Sequence, residues 1–108
     1  MISKEEYQHI ADLVIDHLGG YRKLAVMIGL QFYSAIEEGR GGVRFAFKGS
    51  RRMNTVEIRL NGNDLYDLHF TKETLAKPEP QDRGTNENVG WEDLKDRFEQ
   101  HTQLYLSL

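Results

Sequence analysis

The apolar residues of this chain change rhythm near residue 30. Before that point they recur every three or four positions. Tyr7, Ile10, Ala11, Val14 and Leu18 fall on one stripe and predict an amphipathic helix. Ser3 with Glu6 three residues on is a capping box, in which each side chain serves the other residue's free backbone N–H. Ile2 before the cap and Tyr7 in the first turn fit a hydrophobic staple. Gly19-Gly20 ends the helix, because glycine enters the left-handed region without strain. Residues 21–28 predict a short second helix presenting Leu24, Ala25 and Ile28, stopped by Gly29.

From Leu30 the period is two. Residues 32–36 give a weak first strand, followed by a Gly39-Arg40-Gly41-Gly42 turn. Val43, Phe45 and Phe47 alternate with Arg44, Ala46 and Lys48, which marks a half-buried strand. Gly49 to Asn54 reads as a polar loop. Val56, Ile58 and Leu60 alternate with Glu57 and Arg59, and Tyr66, Leu68 and Phe70 continue the pattern. The last two strands must pair so that their apolar faces coincide, since a one-residue slip turns every core side chain to solvent. Pairing Leu60 with Tyr66, Ile58 with Leu68 and Val56 with Phe70 does so. It requires an odd-length connection, Gly62-Asn63-Asp64 or one residue longer at each side, with a glycine- or asparagine-assisted bulge. A two-residue Asn-Gly turn would break that parity.

Residues 76–88 are polar, hold both prolines and predict a mobile loop. Trp91, Leu94 and Phe98 mark a third amphipathic helix, and the apolar ending Leu104-Tyr105-Leu106-Ser107-Leu108 is expected to dock. The expected fold is a single α+β domain over residues 1–108. It has two N-terminal helices, a four-stranded antiparallel β-meander and a C-terminal helix (ααββββα), with helices one and three on one side of the sheet.

Composition narrows the chemistry. At 108 residues, area scaling buries about two-thirds of the surface, enough for one core. Without cysteine, disulfides and thiolate chemistry are excluded. No apolar run approaches the roughly 18 residues of a membrane span. The N-terminus turns acidic at Glu5-Glu6, where a signal peptide would become apolar, so a cytoplasmic location is expected. His9, His17, His69 and His101 lack ligand spacing, so no metal and no cofactor is expected. Asn61, Asn63 and Asp64 are what a tight hairpin demands, without the frame of a calcium loop. Glu37-Glu38 and Glu92-Asp93 are paired carboxylates, and those on a helix's first turn answer to the helix dipole. No nucleophile elbow or phosphate-cradling loop is present, so no catalytic residue and no enzyme activity is expected.

Charge is the more informative feature. Residues 40–59 hold six cations against Glu57 alone, a local +5 in a chain of net −3, which leaves −8 for the rest. Arg44, Lys48 and Arg59 lie on the non-core side of their strands, and Arg51 and Arg52 cap the joining loop. Together they predict a positive face for nucleic acid or for an acidic partner. The plainer reading is a solvated or helix-covered sheet face. An aromatic series for base stacking is missing from that face. Helix one and the C-terminal helix supply a complementary acidic surface.

Several stretches resemble a family of small uncharacterised proteins encoded by tailed bacteriophages, prophages and related mobile elements. They are Leu18-Gly19-Gly20 with Lys23 and Met27-Ile28-Gly29, the hairpin stretch Phe45-Ala46-Phe47-Lys48-Gly49-Ser50-Arg51, the run from Val56 to Asp67, and the ending Leu104-Tyr105-Leu106-Ser107-Leu108. The resemblance covers most of the chain apart from residues 71–88. It implies a phage-like accessory protein in a bacterial cytoplasm and carries no mechanism. The leading expectation is therefore a non-enzymatic protein that binds a host or phage protein and modulates or inhibits a host complex, such as a defence system. An acidic face can do this by competing for a nucleic-acid channel. The alternatives are a nucleic-acid-binding module using Arg44, Lys48, Arg51, Arg52 and Arg59, and a structural or interaction domain. No membrane partner is expected.

Overall fold

The computed structural model describes residues 2–77 and 79–106. Helix α1 spans Lys4–His17 and α2 spans Tyr21–Ile28. Five strands follow: β1 Tyr33–Ala35, β2 Gly42–Ala46, β3 Thr55–Leu60, β4 Tyr66–Lys72 and β5 Gln81–Val89. A 3-10 turn at Trp91–Asp93 leads into α3, Leu94–Thr102. The strands form one antiparallel meander in the order β1-β2-β3-β4-β5.

This corrects the four-stranded expectation. Much of the stretch expected as a loop at 76–88 is strand from Gln81 onward, while Pro78 lies outside the described residues. β5 escapes an apolar-alternation reading because Val89 alone in it is fully buried. Its register against β4 also shifts twice, between Tyr66 and Leu68 and between His69 and Thr71. Each shift resets the two-residue parity on which strand recognition rests.

Of the expected capping box, the Ser3 half is present. Ser3 Oγ accepts the Glu6 N–H at 3.1 Å, and Gly29 closes α2 in the left-handed region at φ 70°. Tyr7, expected as half of a staple, makes a tertiary bond. Its hydroxyl donates to the Gly39 carbonyl at 2.9 Å, tying α1 to the β1–β2 turn.

The helices share one face of the sheet, α1 against β1 and β2 and α3 against β5. Val43, Phe45, Val56, Ile58, Tyr66, Leu68 and Phe70 point into this layer and are buried. Phe98 of α3 is its centre. Its ring centroid lies 6.1, 5.2 and 5.8 Å from those of Phe45, Phe47 and Phe70. Trp91 lies before the helix proper and packs on His17 at 5.2 Å between ring centroids. In the tail, Leu106 is fully buried and Leu104 packs on the core, while Tyr105 is exposed. Ser107 and Leu108 lie outside the described residues.

The β3–β4 hairpin has the register the apolar pattern requires, Leu60 on Tyr66, Ile58 on Leu68 and Val56 on Phe70. The Asn61 N–H donates to the Leu65 carbonyl at 2.8 Å, leaving an odd loop, and Asp64 takes the left-handed position at φ 60°. The Asn61 side chain saturates itself. Oδ1 accepts from the N–H groups of Asn63 (2.8 Å) and Leu65 (3.2 Å), and Nδ2 donates to Asp67 Oδ1 (3.0 Å) and Asn88 Oδ1 (2.9 Å). Arg40 donates to the Asn61 carbonyl at 2.6 Å and to Asp64 at 2.5 Å. Two connections of the sheet and the end of β5 are thus tied together.

Candidate binding surface

The sheet face turned away from the helices is uncovered among the described residues. Strand alternation sends Arg44, Ala46, Glu57, Arg59, Asp67, His69 and Thr71 to it. Arg44 and Arg59 do point away from the core, with side chains 45% and 42% exposed. They are not free charges. Arg44 binds Glu73 at 2.6 Å and Glu57 at 3.3 Å. Arg59 binds Glu38 at 2.9 Å and Glu57 at 3.1 Å. The result is a continuous chain of alternating sign, Glu73–Arg44–Glu57–Arg59–Glu38. Burial works against the Arg59 charge, but the hydrogen bonds it donates to Glu38 and Glu57 outweigh it and raise the pKa above the usual arginine value.

The other three candidates lie elsewhere. Lys48 is beyond the end of β2, and Arg51 and Arg52 sit exposed in the β2–β3 loop. None of the three forms an ion pair among the described residues. The five predicted cations therefore divide into two neutralised on the sheet face and three unpaired at its end. The sequence reading missed Arg83, which lay in the supposed loop. Its Nε donates to the Arg52 carbonyl at 2.8 Å and its Nη2 to Gln81 Oε1 at 2.7 Å.

A groove of about 420 Å³ opens beside this end, lined among others by Phe32, Ser34, Arg44, Ala46, Lys48 and Glu73. Phe32 is 75% exposed. Asn54 holds Glu73 in place, donating to its carbonyl at 2.6 Å and accepting its N–H at 2.9 Å.

The histidines have structural surroundings. His101 stacks on Phe70 with centroids 4.1 Å apart and planes 9° from parallel. Its Nε2 lies 2.9 Å from the Arg83 carbonyl and its Nδ1 3.0 Å from Asn86 Nδ2. A carbonyl can only accept, so Nε2 carries the proton and Nδ1 accepts. His69 Nε2 meets Asp82 at 3.2 Å. The Gly84 N–H, and then His69, hold the Asp82 carboxyl below its usual range. Tyr33 donates to Asp12 at 2.7 Å, and its pKa is pushed up to about 12, first by burial and then by that bond. Among the described residues, no group of three His, Cys, Asp or Glu side chains could hold a metal ion. Nor is any helix there long and apolar enough to cross a membrane. No family model, curated protein or solved structure matches the chain.

Proposed function

We propose that this is a non-enzymatic, phage-type accessory protein that works in the bacterial cytoplasm by binding another protein, a component of a host or phage complex. The phage context and the location rest on the sequence resemblance. The mode of action rests on one observation, the alternating ion chain from Glu73 to Glu38 across the uncovered sheet face. A polyanion is attracted by excess positive charge. Here Glu38, Glu57 and Glu73 cancel Arg44 and Arg59, so the face offers little net pull on a phosphate backbone. It offers a fixed pattern of both signs on a rigid sheet. Such patterns set register and reject wrong partners in protein interfaces more than they add raw affinity.

Affinity capture from a bacterial lysate, run beside filter binding to DNA and RNA, tests the reading. The wild-type chain should retain a defined protein in stoichiometric amount, and an Arg44→Ala/Arg59→Ala variant should lose it. Bait free of stoichiometric prey, or salt-sensitive nucleic-acid binding in its place, would count against protein binding. The latter would favour the nucleic-acid module.

A further inference from the structure

The unpaired cations and the groove share one end of the sheet. The register sets Ala46, Thr55, Thr71 and Asp82 at one level across β2 to β5. Beyond that level lie the β2–β3 loop, with Lys48, Arg51 and Arg52, and the β4–β5 connection, flanked by Lys72 and Arg83. The two connections touch, through the Arg83 bond to the Arg52 carbonyl. None of these five cations forms an ion pair with a carboxylate among the described residues, although the Arg83 charge lies near enough to Asp82 to help hold that carboxyl ionised. Of the acids nearby, Glu73 is held by Arg44 and Asp82 by His69 and the Gly84 N–H, while Glu79 is exposed. The opposite end is the reverse. Glu37, Asp67, Glu87, Glu92 and Asp93 gather there, and its arginines, Arg40 and Arg59, are bound to carboxylates. The two ends of the sheet therefore differ in which charges lack an ion-pair partner.

The basic end is also held in shape. Met53 anchors the loop in the core, 1% exposed. Ser50 Oγ accepts from the N–H groups of Arg52 (3.2 Å) and Met53 (3.4 Å). Lys48 N–H donates to the Ile28 carbonyl at 2.7 Å, and Phe47 N–H to the Asn54 carbonyl at 2.8 Å. A partner therefore meets cations whose backbone is already ordered, which spares part of the entropic cost of binding. Beside them the groove is lined by the small side chains of Ser34 and Ala46 and by the exposed ring of Phe32.

We propose that this end of the sheet is the docking site for an extended acidic segment of the partner protein. Its carboxylates lie on Lys48, Arg51, Arg52 and Arg83, and one apolar side chain enters the groove against Phe32. This rests on the protein-binding reading above and names the chemistry of the partner. Charge complementarity selects an acidic occupant, and the groove selects a peptide over a nucleic-acid strand. A strand stacks successive bases on a series of aromatics. Phe45 and Phe47 are buried, so Phe32 is the exposed aromatic among the groove's residues, one ring where a nucleic-acid strand needs a series.

Fluorescence anisotropy with the full chain at low ionic strength tests the site. The labelled probes are a peptide alternating glutamate and glycine around one central tryptophan, the same peptide with glycine in place of tryptophan, and a single-stranded oligothymidylate of equal charge. The tryptophan peptide should bind tightest. It should lose at least about tenfold in affinity in an Arg51→Glu/Arg52→Glu variant and about fivefold in Phe32→Ala. Both variants should keep the wild-type melting temperature, since all three residues are exposed. Tighter binding of the oligothymidylate, equal binding of the two peptides, no binding of any probe, or an affinity unchanged in the double variant would each overturn the site. A lysate partner retained equally by wild type and double variant would also overturn it while leaving protein binding intact. Absence of any partner would remove protein binding, and the peptide affinities would still judge the site.

Discussion

Replacing Asn61 by alanine cuts four hydrogen bonds at a point where two connections meet the end of β5. Two serve the otherwise unpaired N–H groups of Asn63 and Leu65 inside the hairpin loop, and two hold Asp67 of β4 and Asn88 of β5. A neutral hydrogen bond contributes about 0.5–1.5 kcal/mol net, and one to a carboxylate more. The site is half-buried, so water recovers part of the loss at the outer bonds. The remaining penalty is about 2–4 kcal/mol. In a domain of this size each kcal/mol moves the melting point by roughly 4–8 °C, so a fall of roughly 8–32 °C is expected by circular dichroism. Asn61→Asp separates the two roles. It keeps the oxygen that accepts from Asn63 and Leu65, loses the two N–H donors of Nδ2 and sets a second carboxylate against Asp67. It should therefore melt between alanine and wild type. An Asn61→Ala protein within about 0.5 kcal/mol of wild type, the range of an ordinary surface substitution, would refute the idea that this side chain ties the sheet end together.

Two further outcomes follow from the core and its margin. Phe98→Ala removes a fully buried ring that contacts three other phenylalanines and should cost about 3–5 kcal/mol in urea unfolding; a loss under about 1 kcal/mol would mean the cluster repacks freely. Tyr33 should ionise near pH 12, above its ordinary 10.0, in a phenolate absorbance titration. Folding favours its neutral form, so its contribution is complete below pH 10.0 and is lost as pH rises through about 12. Titration together with exposed tyrosines would contradict this, and Asp12→Asn should move it downward.

The parts of the fold legible in the sequence were those where apolar side chains carry the period. Val56, Ile58 and Leu60 against Tyr66, Leu68 and Phe70 fix both strands and their register. β5 was not legible, because its packing against α3 uses Asn86, Gly84 and the His101 ring instead of apolar residues. Gly84 at φ 112° and the buried Val89 are the local signals of a bulged strand. The outward direction of Arg44 and Arg59 was legible from alternation. Part of their neutralisation was too, since Glu57 is two residues from Arg59 on the same face and lies directly across from Arg44. Glu73 and Glu38 were not, because each is brought in by a connection whose path no periodicity sets. Arg83 joined the basic end only once β5 existed to carry it there.

β5 has a consequence for the life of the molecule among its own copies. Its outer margin has no neighbouring strand among the described residues, and nine residues of open main chain are a template on which another copy could build. Two breaks in register, the charges of Asp82, Arg83 and Glu87, and an imidazole clamped on the Arg83 carbonyl spoil that template. The strand least like a strand is thus the fitting terminus of this sheet, since its polarity and broken register disfavour the addition of a further strand from another copy.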